Sequence, residues 1–240
     1  LKPVVSNNNT KDDLTSTVWF EAEQGMTYQI AVTGQSNASG SVDLSLEQDD
    51  EGVVYQTDFN SFPIGNNALS GIDNWTDSDP KSGSSGIREG IDESNLEGWI
   101  GFNKSGQKKV ILQRIVNAAK NSNIVEFGVD LNISDSTPSR SKDAFLLEIT
   151  NIGTPGDPLC GLVFDNSNRK IYRLDGADQS DTGLMFNCDS QYTLDAVIHL
   201  QENKWSAYLN GDPIFENQPL TSTSNERSVG AINIAWRPSD

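Results

Sequence analysis

The chain has 240 residues, a hydrophobic fraction of 35% and a formal net charge of −17. Phosphate backbones repel a strongly acidic protein, so the charge argues against nucleic acid as a partner, and no run of about 18 apolar residues suggests a membrane span. The length suits one large all-β domain or two smaller ones, and abundant Ser, Asn, Thr and Gly favour turns and two-faced sheets over helices.

The first predicted elements are three short strands in residues 16–46. Apolar residues alternate in STVWFEAE, GMTYQIAVTG and GSVDLSLE, and glycines separate the three stretches. This periodicity predicts an antiparallel meander. The passage resembles the closing half of the bacterial pre-peptidase C-terminal β-sandwich, where Gly-x-x-Tyr-x-Ile-x-Val leads to a glycine-rich turn and a last apolar strand. The resemblance implies that residues 1–50 are a small partial β-sandwich of an exported protein.

An acidic connector, EQDDEG at residues 47–52, marks the predicted domain boundary. The second unit, residues 53–240, begins with VVYQTDF, which is predicted to form its first strand. Residues 77–95, DSDPKSGSSGIREGIDESN, are dense in Ser, Gly and Asp and are predicted to form a long loop.

Eleven further stretches show strand periodicity or strand composition. They are Gly98–Asn103, Lys109–Val116, Asn123–Ile133, Ala144–Asn151, Leu159–Asp165, Lys170–Leu174, Thr182–Cys188, Tyr192–Gln201, Lys204–Asn210, Pro213–Glu216 and Ser228–Trp236. Asn210-Gly211 is the strongest hairpin signal in the chain, because this dipeptide suits a two-residue turn with positive φ at both positions.

The order of strand, short turn, Trp/Tyr strand and Asn-Gly turn in YTLDAVIHLQENKWSAYLNGDPIF resembles the concanavalin A-like, laminin-G-like jelly rolls of exported bacterial proteins. The resemblance implies an all-β fold, an antiparallel β-sandwich, for residues 53–240. In that family the first strand pairs with a strand that follows the INIAW type of strand. No such strand follows here, so we expect either an open edge near Asp58–Phe62 or a partner strand from a missing segment or another chain.

Cys160 and Cys188 both lie in strand-like runs. If the two strands are neighbours, a disulfide forms, and the other signs of export favour it over two buried free thiols.

In the jelly-roll family sugars lie in the groove of a concave sheet, and strand alternation identifies the polar side chains opposite the core. The set is Arg114, Glu126, Asp130, Glu148, His199 and Tyr208. If these residues converge, they form a groove of hydrogen-bonding groups. Otherwise they belong to a solvated sheet face or to two different sheets.

Two kinds of enzyme resemble this fold. Laminarinase-like glycosidases need closely spaced carboxylates on one strand face, but Gly128 occupies the position between Glu126 and Asp130. Jelly-roll lyases use Arg, Gln, His and Tyr, and Arg114, Gln113, His199 and Tyr208 have these types. The Arg-x-Glu-Leu-Arg and Gln-x-His motifs of such lyases are absent.

The sequence therefore favours a non-catalytic module, secreted or at the cell surface, that binds a polysaccharide or glycan or mediates adhesion. A polysaccharide lyase and a purely structural spacer remain the alternatives. Aromatic side chains stack on sugar rings, and the candidates are Trp75, Trp99, Tyr172, Tyr208 and Trp236. Ca²⁺ is a candidate cofactor through carboxylates of the predicted loop region, Asp73, Asp77, Asp79 and Asp92, although the Asp-x-Asp-x-Asp-Gly ladder is absent.

Overall fold

The computed structural model of the chain describes residues 54–90, 95–101, 109–116, 123–135, 143–152, 157–176, 178–224 and 227–238. The chain divides into two compact units, Leu1–Gln48 and Asp49–Asp240, and every described residue belongs to the second. The predicted N-terminal meander and the predicted boundary at residues 47–52 lie outside the described residues and stay predictions.

The described residues form fourteen strands and no helix. In chain order they are β1 (Gly65–Asn66), β2 (Trp75–Asp77), β3 (Ser85–Glu89), β4 (Leu96–Ile100), β5 (Val110–Ile115), β6 (Ile124–Asn132), β7 (Ala144–Asn151), β8 (Pro158–Asp165), β9 (Lys170–Asp175), β10 (Asp178–Met185), β11 (Gln191–His199), β12 (Lys204–Leu209), β13 (Asp212–Pro219) and β14 (Val229–Arg237).

These strands build three antiparallel sheets. The largest has seven strands in the order β10-β9-β8-β7-β14-β5-β2, the second has four in the order β13-β12-β11-β6, and the smallest has the order β1-β3-β4. The all-β antiparallel sandwich predicted for this part of the chain is confirmed.

The seven-stranded and four-stranded sheets enclose one hydrophobic core. On β6, Val125, Phe127 and Val129 pack against that core, whereas Glu126 and Asp130 are exposed. The alternation predicted for β6 is therefore confirmed, and it follows from the two-residue period of a strand. Each fully buried aliphatic side chain contributes roughly 1.5–3 kcal/mol to folding through the water that it excludes.

A second hydrophobic cluster joins the small sheet to the largest one. Ile87 from β3 packs there with Trp75 from β2 and Leu112 from β5. The predicted loop of residues 77–95 is thus wrong for part of its length, because Ser85–Glu89 is strand β3, paired with β4 and β1. Its Ser and Gly content resembles a loop, but Gly86 is needed where the Gly65 carbonyl approaches the β3 backbone.

The first strand predicted for the second unit does not form in its described portion. Residues 54–62 contain no strand, and the INIAW segment lies in β14, between β7 and β5 in the middle of the seven-stranded sheet. The expected open edge near Asp58–Phe62 is therefore not present as a strand edge. Tyr55, Phe59 and Phe62 hold this segment down by aromatic contacts with the second cluster.

The Asn-Gly turn forms as predicted between β12 and β13. Asn210 and Gly211 have φ values of 53° and 82°, the left-handed region that a two-residue hairpin turn of this type requires. Asn210 Oδ1 also accepts a hydrogen bond of 2.9 Å from the backbone amide of Thr193.

The two cysteines are free, so the predicted disulfide is wrong. Cys160 is buried in β8, whereas the Cys188 thiol donates to Asn166 Oδ1 at 2.8 Å, just past the far end of β8. Six residues of extended chain, about 20 Å, separate Cys160 from Asn166, and a disulfide needs Cα atoms within about 7 Å. Burial raises the pKa of the Cys160 thiol.

Candidate functional site

The six predicted site residues do not converge. Four of them lie on the outer face of the four-stranded sheet: Glu126, Asp130, His199 and Tyr208. Glu148 lies on the outer face of the seven-stranded sheet. Arg114 points into the interior. An outer face here is the side of a sheet that points away from the shared core. Of the arrangements considered from the sequence, the one that forms is the spread of these polar residues over two sheets.

The outer face of the four-stranded sheet carries Glu126, Asp130, Asp195 and Glu216, and we call it the acidic face. In its central row, Asp195 on β11 lies opposite both Tyr208 on β12 and Gly128 on β6. The Tyr208 hydroxyl donates to Glu216 Oε1 at 3.2 Å. Glu126, Asp130 and Glu216 are exposed, so water satisfies them and competes with any ligand. The acidic face therefore has the character of a solvated sheet surface.

His199 lies at one end of the acidic face. It pairs with Lys204 across the sheet, whereas Tyr208 pairs with Asp195, four residues away on β11 and about 13 Å along the strand. His199 Nδ1 is 3.7 Å from Glu202 Oε1, and Lys204 holds the pKa of Glu202 below its ordinary value. A lyase that uses His199 and Tyr208 on one sugar carbon would need them much closer together.

Arg114 is an interior residue rather than part of a groove. It is 7% exposed, and its guanidinium carbon lies 3.7 Å from the centre of the Tyr55 ring. Nη2 is 3.3 Å from Asp73 Oδ1, and the Tyr55 hydroxyl accepts a hydrogen bond of 3.0 Å from Trp75 Nε1. Arg114 therefore fastens the segment that precedes β2 to the seven-stranded sheet.

Glu148 belongs to a different set of polar residues, which sequence reasoning did not assemble. Asn233 on β14 lies opposite Gln113 on β5 and opposite Glu148 on β7, so the three side chains form a row across adjacent strands. We call Gln113, Asn233 and Glu148 the polar row. Gln113 Nε2 donates to Asn233 Oδ1 at 2.9 Å. In this bond Asn233 Oδ1 is the acceptor, and the Asn233 Nδ2 group points away from Gln113.

The polar row is shielded but not satisfied by the protein. Asn233 is 8% exposed, and Gln113 and Glu148 are half-buried. Across the described ranges, no donor bonds to the Glu148 carboxylate and the Asn233 Nδ2 group has no acceptor. Polar groups in such positions normally have partners, since desolvation without a hydrogen bond costs about 1–3 kcal/mol. The polar row therefore offers unused hydrogen-bonding groups.

An apolar row runs beside the polar row, one step along the strands. Its members are Ile111, Ala235, Leu146, Val163 and Tyr172, on five adjacent strands. Leu146, Val163 and Ala235 are buried, while Ile111 and Tyr172 are partly buried and pack against them. Leu146, Val163 and Ala235 are only 5%, 0% and 0% exposed, so the apolar row forms dry surroundings beside the polar row and is not itself a free stacking surface.

The aromatic residues predicted to stack on sugar rings are also spread over the interior and different sheet faces. Trp75 and Trp236 are core residues with 4% and 0% exposure, which leaves neither ring free to stack on a ligand. Tyr172 flanks the seven-stranded outer face, and its hydroxyl accepts a hydrogen bond of 2.8 Å from Asn168 Nδ2. Tyr208 lies on the acidic face, and Trp99 is half-buried on β4 of the smallest sheet.

The predicted calcium ligands have other roles where they are described. Asp73 pairs with Arg114, and Asp77 accepts bonds from Ser85 Oγ and from the Asp79 amide, while Asp92 lies outside the described residues. In the part of the chain that the structure covers, no three His, Cys, Asp or Glu side chains are grouped to hold a metal ion. The covered part also contains no helix that could cross a membrane.

No protein-family model and no curated protein matches the sequence. Among solved structures, a sialidase matches with a TM-score of 0.50 and 13% identity over 72% of this chain, which spans 14% of the sialidase chain. At this identity the likeness shows the fold alone, and it agrees with the β-sandwich that the sequence predicts. The carbohydrate-binding module CBM66 from Bacillus subtilis matches with a TM-score of 0.42 and 10% identity, over 72% of this chain and 96% of that one. Sheep galectin-11 matches with a TM-score of 0.38 and 12% identity, over 53% of this chain and 92% of that one.

Proposed function

We propose that this chain is a non-catalytic glycan-binding module and that the glycan binds at the polar row. The observation that carries the proposal is the pair of unused groups there, the Asn233 amide and the Glu148 carboxylate. Both are shielded from water, so a ligand that satisfies them meets less competition than it would on the acidic face. Sugar hydroxyls both donate and accept, as these two groups require.

The geometry favours binding over hydrolysis. Glycosidases use two carboxylates about 5–9.5 Å apart, one of them kept protonated by apolar surroundings. Glu148 is the one carboxylate among the polar and apolar rows. A glycan that binds beside it meets no second carboxylate in either row, which supports a binding role.

Export to the cell surface and a role in adhesion complete the proposal. They are supported by the sequence resemblance of residues 16–46 and 53–240 to modules of exported bacterial proteins. A surface module that binds a glycan without cleaving it holds its parent protein on a polysaccharide or on a neighbouring cell.

A glycan array followed by calorimetry on the best ligand tests the function. Asn233→Ala and Gln113→Ala each remove one end of the hydrogen-bonded amide pair. We expect the glycan affinity of Asn233→Ala to fall about tenfold, because hydrogen bonds from shielded groups contribute about 1–1.5 kcal/mol. Asp130→Asn, on the acidic face, is the control and should stay within about twofold.

Three outcomes count against the proposal. If the native chain bound no glycan on the array, the structural spacer would be favoured. Loss of binding in Asp130→Asn but not in Asn233→Ala or Gln113→Ala would place the ligand on the acidic face. Cleavage of a bound glycan would restore the enzyme alternative. Thermal melting of each variant shows whether a loss of binding reflects a loss of folding.

A further inference from the structure

We propose that the polar row selects sugars without an acidic group, neutral or amino sugars, and that Glu148 imposes this selection. The inference rests on glycan binding at the polar row and names the ligand class of that site. It is independent of the net charge of the chain, because it concerns one carboxylate at the point of contact.

The position of Glu148 is fixed by its neighbours. Gly161 lies opposite Glu148 on β8, and a Cβ at Gly161 would come within 3.3 Å of Glu148 Cγ and 2.6 Å of Leu174 Cδ1. The stem of Glu148 therefore lies over Gly161 beside Leu174. Glu148 as a whole is half-buried, so its carboxylate can meet a ligand at the polar row.

No described cation pairs with Glu148. None of the ion pairs among the described residues includes it. Lys109 directly precedes β5 and is four residues from Gln113. Two further described cations of this face, Arg237 and Lys170, lie beside Ala144 and Asp165. Those two positions are four residues along β7 and β8 from the polar row, or about 13 Å. Lys170 is also paired with Asp181.

The chemistry of the ligand follows from this charge. A half-buried carboxylate accepts strong hydrogen bonds from hydroxyl groups, and it forms still stronger ones with an ammonium group. A uronate or sialate carboxylate at the same place would be repelled, and the apolar row lowers the screening that water would otherwise provide. Neutral sugars should therefore bind, amino sugars should bind at least as tightly, and acidic sugars should be rejected.

The test compares matched oligosaccharides on the full chain. Each pair differs only at C6, as glucose differs from glucuronic acid and galactose from galacturonic acid, and a glucosamine oligosaccharide is included. The native chain should prefer the neutral member about tenfold or more. In Glu148→Gln, which keeps the shape but removes the charge, this preference should shrink to about threefold or less.

Glu126→Gln is the matched control, because it removes one negative charge from the acidic face on the other sheet. The neutral-to-acidic affinity ratio should not change in this variant. Equal shifts in both variants would assign the selection to net charge and overturn the role of Glu148. So would tighter binding of the uronic member by the native chain.

The failures of the two proposals look different. If the native chain binds no glycan, the proposed function falls and this inference falls with it. If binding depends on Asn233 while the ratio is unaffected by Glu148→Gln, only the selection falls. Glu148→Ala, which also removes the carboxylate, serves as the second variant if Glu148→Gln melts at a lower temperature than the native chain.

Discussion

At the scale of single residues, Arg114 shows how a charge can serve the fold rather than a ligand. Its guanidinium lies against the Tyr55 ring, with Asp73 as its ion-pair partner. A desolvated cation over an aromatic ring contributes about 2 kcal/mol. The cost of burying the charge opposes this gain.

We predict that Arg114→Met lowers the free energy of unfolding by about 2 kcal/mol, because methionine keeps the packing volume but loses the ring contact and the ion pair. Arg88→Met is the control. Arg88 pairs with Glu97 at 2.6 Å on the surface, where such pairs contribute about 0–1 kcal/mol. Urea unfolding measures both variants. An unchanged or more stable Arg114→Met protein would show that the burial cost outweighs the contacts.

The inward direction of Arg114 could be predicted from the sequence. It has the same parity along β5 as Val110 and Leu112, both buried, so the alternation of this strand turns Arg114 inward and Gln113 outward. The same argument turns Asn233 outward between Ala231 and Ala235. The alternation of one strand does not predict that Asn233 contacts Gln113, because Gln113 precedes Asn233 by 120 residues. Which strands are neighbours is set by the whole fold.

At the scale of elements, the strands with strong two-residue periodicity were predictable and those without it were not. β6, β7 and β11 agree with their predicted spans to within two residues at each end. β10 begins four residues before the predicted Thr182, since Asp178–Asp181 is polar on both faces at a sheet edge. β1, β2 and β3 carry too few alternating residues to be recognised, and their pairing partners define them as strands.

Two glycines on different sheets give a matched test of how tightly the elements pack. We predict that Gly86→Ala lowers the free energy of unfolding by about 1–3 kcal/mol, because the new methyl group would strike the Gly65 carbonyl and lie 3.0 Å from Asn66 Cα, both backbone atoms. Gly128→Ala should be neutral or stabilise by up to about 1 kcal/mol. There the nearest atom is Asp195 Oδ1 at 3.2 Å, at the end of a rotatable side chain.

Thermal or urea unfolding of the two variants distinguishes these outcomes. An unchanged stability of Gly86→Ala would mean that the small sheet β1-β3-β4 tolerates a wider spacing than the structure shows. A larger loss at Gly128 would mean that the acidic face is more constrained than its exposure indicates.

At the scale of the whole molecule, the surplus of acidic residues opposes the compact state. The chain has 34 Asp and Glu residues against 17 Lys and Arg, and the acidic face places Glu126, Asp130 and Asp195 on adjacent positions of two strands. Like charges this close repel each other in the folded state and separate on unfolding. Dissolved salt weakens such repulsion, because the Debye length falls from about 30 Å at 0.01 M to about 8 Å at 0.15 M.

We therefore predict that the melting temperature rises by a few degrees between about 0.01 M and about 0.15 M sodium chloride. The surface ion pairs are weakened by the same salt, but among the described residues they are outnumbered by unpaired carboxylates. The double variant Glu126→Gln/Asp130→Asn should melt higher than the native chain at low salt and should gain less from added salt. A melting temperature that falls with salt in the native chain would mean that its ion pairs outweigh the repulsion. The structure would then depend on contacts such as Lys170 with Asp181 more than their exposure suggests.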